Sequence, residues 1–109
     1  MGNCGQLESG LALPYKGTIG AFGNAPAAGG PTNAIGPVCG TSDLPHATIG
    51  NKLHIPIEVS GGLFSLGDVH ARQGDGEVVG APEICARVTV RFSVSRWGPN
   101  ARSFCSPRN

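Results

Sequence analysis

Apolar and polar positions alternate most strictly from Ile84 to Val94. Ile84, Ala86, Val88, Val90, Phe92 and Val94 share one face, and Cys85, Arg87, Thr89, Arg91 and Ser93 share the other. A period of two over this length predicts a strand with one buried and one wet face. Burying that face would contribute about 1.5–3 kcal/mol for each large side chain. A second alternation runs from Leu53 to Val59, with Leu53, Ile55, Ile57 and Val59 set against His54, Pro56 and Glu58. Pro56 has no N–H to donate, so this strand is expected at an edge or with a bulge, and Ser60-Gly61-Gly62 is the turn that ends it. Tyr15 to Phe22 reads as a third strand, with Ile19 and Ala21 alternating against Thr18 and Gly20.

Between these pieces lie long glycine- and proline-rich connections. Gly23 to Pro37 is a run of turn formers, long enough to be either a functional loop or plain surface. Residues 1–14 have no period and read as an irregular lead-in. Residues 95–109 have none either, and are expected to be a loosely packed, irregular tail. The organisation is therefore a β domain over residues 15–94 between two irregular ends. The expected fold is mainly β: an antiparallel sandwich- or barrel-like sheet with long Gly/Pro-rich loops. The chain has 18 Gly and 9 Pro, which leaves little room for a long helix.

Composition narrows the function. With 109 residues the chain fits one small domain. A formal net charge of +1 offers no basic stripe to neutralise phosphates, so no nucleic-acid partner is expected. No apolar run of membrane-spanning length occurs, so no membrane partner is expected. The N-terminus lacks the basic and apolar regions of a secretory signal, which points to a cytoplasmic protein. The four cysteines, Cys4, Cys39, Cys85 and Cys105, form no C-x-x-C pair. They read as reduced, small apolar residues rather than a zinc knuckle or a disulfide framework. There is no G-x-S-x-G elbow, H-E-x-x-H, P-loop or G-x-G-x-x-G motif.

The candidate chemistry is concentrated between Leu63 and Glu77. Asp68, His70, Gln73, Asp75 and Glu77 lie there on a glycine-rich loop between two strand-like pieces. Asp68 and His70 are two apart, so in an extended segment they leave the same face. That pair suits a divalent metal such as zinc. Glu77 could be a third ligand, or the carboxylate that takes a proton from water. Asp75 could be a ligand or hold the His70 ring in one tautomer, and Gln73 could donate to a substrate carbonyl. Plainer readings stand beside these. Asp75-Gly76 is also a common hairpin turn pair, a lone loop histidine is commonly just solvated, and Asp43 is most simply a turn or capping residue.

The run from Leu63 to Gly80, Leu-Phe-Ser-Leu-Gly-Asp-Val-His-Ala-Arg-Gln-Gly-Asp-Gly-Glu-Val-Val-Gly, resembles the signature of the acetamidase/formamidase family, ALFSxGDxHAxQGDGEVxG. Leu53 to Val59 resembles the family's LYLPVxV strand. Ser42-Asp43 with Thr48 and Gly50 resembles its GGNMD…LTxG segment, and Gly17 to Pro26 its GxIGxAPA segment. The resemblance spans roughly Tyr15 to Val94. It implies a cytoplasmic, β-rich, often oligomeric hydrolase of the carbon–nitrogen bond in small linear amides, releasing ammonia. It implies Asp68, His70 and Asp43 as ligands of a divalent metal, zinc in the first place with calcium as the alternative. It implies Glu77, Asp75 and Gln73 as catalytic residues, with a small amide as substrate and a homo-oligomer as the possible assembly. Family members are longer than this chain. The alternative is therefore a truncated, non-catalytic β module that keeps the metal-binding loop.

Overall fold

The computed structural model of the chain describes residues 4–6, 10, 12–27, 30–31, 35–96, 98 and 102–107. Seven strands occur in these residues: β1 (Cys4–Gln6), β2 (Ala12–Pro14), β3 (Thr18–Gly23), β4 (Cys39–Thr41), β5 (Lys52–His54), β6 (Ser65–His70) and β7 (Phe104–Ser106). The only helical element among them is a single 3-10 turn at Asp75–Glu77. Every strand pairing is antiparallel, so the mainly β, antiparallel expectation holds. The strands form three small sheets, and the layers are sandwich-like rather than a closed barrel.

The central sheet has the order β4-β3-β6. Its middle strand, β3, is covered on both edges and is the most buried of the strands whose burial is described. Thr18 pairs with His70, Ile19 with Val69, Ala21 with Gly67 and Phe22 with Leu66. The other edge of β3 pairs Ala21 with Thr41 and Phe22 with Gly40. Phe22, Cys39 and Ala47 form the buried core, with Ile19, Leu53, Ile55, Phe64 and Leu66 packed partly against it. This core is small, as expected where glycine and proline fill so much of the chain.

Four expectations change. First, β5 is shorter than the alternation from Leu53 to Val59 suggests. It ends before Pro56, which cannot donate to a ladder. Second, the two ends carry order. β1 pairs with β2, and β7 pairs with β5 through Lys52↔Ser106, Leu53↔Cys105 and His54↔Phe104; the rest of residues 1–14 and 95–109 lies partly outside the described residues. Third, the aspartate and histidine expected on a loop stand on a strand, β6.

Fourth, Ile84–Val94 forms no strand and belongs to no sheet among the described residues. It starts beside β6, where Glu83 bridges His70 and the Ile84 amide donates to the Val69 carbonyl at 2.9 Å. The next step of that register would set Cys85 against Asp68. Asp68 has φ 57°, which turns its peptide groups out of ladder geometry. The predicted buried face stays open: Phe92 is 67 % and Val94 83 % exposed. Phe92 touches the ring of Phe64 edge-on, with centroids 5.2 Å apart. Of the described cysteines, Cys39 is buried, Cys105 half-buried and Cys85 exposed, and all three are free.

Candidate metal centre

The site is built on β3. Gly20 stands in the middle of that strand, directly across from Asp68 in the β3–β6 register. Its carbonyl accepts from the amides of both Ser42, at 3.0 Å, and Asp43, at 3.1 Å. The segment after β4 is thereby folded over the same strand position. A glycine inside a strand often marks a close approach of other groups, and this one does. A Cβ at Gly20 would lie 2.6 Å from Asp68 Oδ2, 2.7 Å from Asp43 Oδ1 and 2.7 Å from His70 Cε1.

Asp43, Asp68 and His70 converge over that gap, with one potential ligand atom from each inside 4.8 Å of the others. Asp68 and His70, two apart on β6, leave one face as their spacing requires. The His70 ring is almost fully buried while the Asp68 side chain is 29 % exposed, and Nε2 lies 2.9 Å from Oδ1. Burial disfavours the imidazolium, but hydrogen bonds to Gln73 and Asp68 outweigh it and hold the His70 pKa above its ordinary value. Asp43 Oδ1 is buried and has no hydrogen-bond partner among the described residues. A buried carboxylate oxygen left unpaired is costly. Here it faces an imidazole and a second carboxylate, and a cation seated among the three would satisfy it.

The backbone carries the strain expected where side chains are aimed against local preference. Asp43 has φ 45°, Asp68 φ 57° and Glu77 φ 42°. Left-handed φ is tolerated by aspartate and is less common for glutamate. Glu77 ends the 3-10 turn, which places its carboxyl beside Asp43. The hydrogen bond with Asp43, helped by partial desolvation and the nearby Asp68 charge, pushes the Glu77 carboxyl above the ordinary carboxylate range.

Two candidates sit differently from expectation. Gln73 is buried, and its amide is engaged inside the protein rather than free for a substrate carbonyl. Nε2 donates to the Asp43 carbonyl, and Oε1 lies 2.8 Å from His70 Nδ1 and 3.2 Å from Thr18 Oγ1. Asp75 is exposed at the start of the 3-10 turn, and the group facing His70 Nδ1 is Gln73, not Asp75. The residues that motif reading misses are Gly20 and Thr18. The visible signal was a glycine in a strand interior, with nothing to say what approached it.

The acetamidase/formamidase family model matches residues 15–107. A putative formamidase of Schizosaccharomyces pombe is 33 % identical over 70 residues, which is 62 % of this chain and 17 % of that protein. The formamidase of Methylophilus methylotrophus is 33 % identical over 61 residues, 54 % of this chain and 15 % of its own length. Among solved structures, an acetamidase from Bacillus halodurans superposes with a TM-score of 0.67 at 37 % identity, covering 76 % of this chain and 29 % of that one. A predicted acetamidase/formamidase from Thermoanaerobacter tengcongensis gives 0.63 at 39 %, covering 70 % and 25 %. The chain thus spans less than a fifth of these two formamidases and under a third of the two solved structures.

Proposed function

The chain belongs to the acetamidase/formamidase family, and from that premise we propose that its polar cluster is the metal-assisted hydrolytic site of a small-amide hydrolase. The observation that carries the reading is the unpaired, buried Asp43 Oδ1 beside His70 and Asp68. Asp43 and Asp68 each offer a carboxylate oxygen and His70 offers Nε2. That mixed nitrogen and oxygen set suits zinc better than calcium, which takes six to eight oxygens. A divalent cation bound there supplies Lewis acidity, polarising an amide carbonyl and making water easier to deprotonate.

The chain's own residues do the rest. Glu77, protonating more readily than an ordinary glutamate, is suited to moving a proton. It accepts one from the attacking water and returns it to the amide nitrogen as the carbon–nitrogen bond breaks. Amide plus water then becomes carboxylic acid plus ammonia, with protons conserved. Gly20 leaves the space in which the three ligands meet. The test is ammonia release from formamide, acetamide and propionamide by purified protein with and without zinc, beside Glu77→Gln. Zinc-dependent turnover that disappears in Glu77→Gln is expected. A folded, zinc-loaded chain that releases no ammonia from any of the three amides refutes the assignment.

A second reading follows from one observation: the chain covers 29 % of the Bacillus halodurans acetamidase, and the Ile84–Val94 face has no sheet partner among the described residues. A non-catalytic β module would bind zinc without turnover and would lose that binding in His70→Ala. Among the described residues no helix is long and apolar enough to cross a membrane.

A further inference from the structure

Gln73 touches two of the three proposed ligands through one amide group. We infer that Gln73 is a positioning residue that holds His70 in the Nδ1–H tautomer and presents Nε2 to Asp43 and Asp68, an inference that rests on the metal site proposed above.

The orientation of the amide follows by elimination. The backbone carbonyl of Asp43 carries only lone pairs, so the side of the Gln73 amide that meets it is the NH2. Oε1 must then face Thr18 and His70, 3.2 Å from Oγ1 and 2.8 Å from Nδ1. Oε1 is an acceptor only, so Nδ1 carries a hydrogen and the Thr18 hydroxyl donates the second bond. A flipped amide would set oxygen against the Asp43 carbonyl oxygen, so the carbonyl decides the assignment that atom positions alone leave open. With Nδ1 donating to Gln73, Nε2 is the ring atom a metal would take; without metal it lies 2.9 Å from Asp68 Oδ1, an acceptor only, and donates there a hydrogen that a cation at Nε2 would replace.

The other half of the amide acts on Asp43. That residue holds φ 45°, and the hydrogen bond to its carbonyl comes from a side chain 30 positions away. Gln73 therefore fixes the ring of one ligand and the backbone of another. Thr18 and Gly20 lie on one strand, so the space beneath the cluster and the clamp behind it have the same origin. Partners of this kind around metal ligands change metal affinity by roughly 10–100-fold when removed.

The experiment reads zinc affinity by calorimetry and the His70 tautomer by long-range proton–nitrogen correlation spectra of the zinc-loaded chain. The Nδ1–H tautomer is expected in the zinc-loaded wild-type chain. Gln73→Met should weaken zinc binding about 10–100-fold and mix the tautomers. Gln73→Glu, which keeps an acceptor for Nδ1 but no donor for Asp43, should keep the Nδ1–H tautomer and still bind zinc less tightly than wild type. A zinc-loaded wild-type chain whose His70 carries its hydrogen on Nε2 overturns the inference whether or not any variant folds. So does unchanged zinc affinity in a folded Gln73→Met. If His70→Ala also leaves zinc affinity unchanged, the metal-site reading itself fails; if His70→Ala weakens binding and Gln73→Met does not, only the positioning role fails.

Discussion

Substituting Gly20 by alanine tests the site with the smallest possible change. Gly20 does not have a positive φ, so alanine meets no backbone penalty and the effect is steric. The added Cβ would sit 2.6 Å from Asp68 Oδ2, 2.7 Å from Asp43 Oδ1 and 2.7 Å from His70 Cε1. Contacts of that kind relax to roughly 3.5 Å, so the three groups together must give way by well over half an ångström. The His70 ring is only 1 % exposed and has nowhere to go, so the carboxylates move. Overpacking of this kind costs about 1–3 kcal/mol, while removing a glycine from a strand returns roughly 0.5–1 kcal/mol. Net stability should therefore fall by no more than about 2.5 kcal/mol, and the chain should still fold.

The site should suffer far more than the fold, because metal–ligand distances tolerate only about 0.2 Å. Zinc affinity should drop at least tenfold, about 1.4 kcal/mol or more. Gly67→Ala is the matched control. It lies on the neighbouring strand opposite Ala21, and a Cβ there meets nothing within 4 Å. It should bind zinc as the wild type does and melt no lower. Isothermal titration with zinc and near-ultraviolet circular dichroism melts measure both quantities. Wild-type zinc affinity in Gly20→Ala, or equal damage in Gly67→Ala, would refute the steric argument.

Other outcomes follow from the same geometry. Asp43→Asn keeps shape and tolerates left-handed φ; by removing the charge shared by the buried, unpaired Oδ1 it should leave the zinc-free melting temperature unchanged or higher while weakening zinc binding, and a loss of both would show Asp43 to be structural. In a chelator, stability should fall as pH rises. The raised His70 pKa stabilises the fold fully below the unfolded value of about 6.5 and is lost as pH passes the folded value, and the raised Glu77 pKa adds a loss of the same sign at lower pH. With zinc the trend should reverse, because binding displaces protons; melts at stepped pH with and without chelator check both signs, and a zinc-free melt that rises with pH contradicts them. Hydrogen exchange should find the amides of β3 protected and those from Cys85 to Val94 exchanging rapidly, with Ile84 protected by its bond to Val69. Protection across Cys85–Val94 would mean that the strand pairs with another chain in solution.

Much of the site was legible in the chain because it is local. Asp68 and His70 share a face through a two-residue spacing that any extended segment enforces, and Gly76 marks a turn that brings Glu77 back. The β class followed from alternation and from the glycine and proline content, both short-range properties. What the residues could not reveal involves separation along the chain. Thr18 and Gln73 are 55 positions apart and Asp43 and Gln73 are 30 apart, and no local period joins them. The same limit explains Ile84–Val94, since alternation states which face of a strand is apolar but not whether a neighbour exists to cover it.

The sequence by itself determined a small, antiparallel β chain and the identity of the acidic and imidazole groups, because side-chain direction in an extended segment depends only on the covalent backbone. Tertiary structure alone decided that Gly20 would be the open space under three converging side chains and that Asp43 Oδ1 would be buried without a hydrogen-bond partner among the described residues. It also turned Gln73 inward, and it left Ile84–Val94 outside any sheet among the described residues. Each of these outcomes depends on which distant strands meet and in what register, and that register is set by long-range packing.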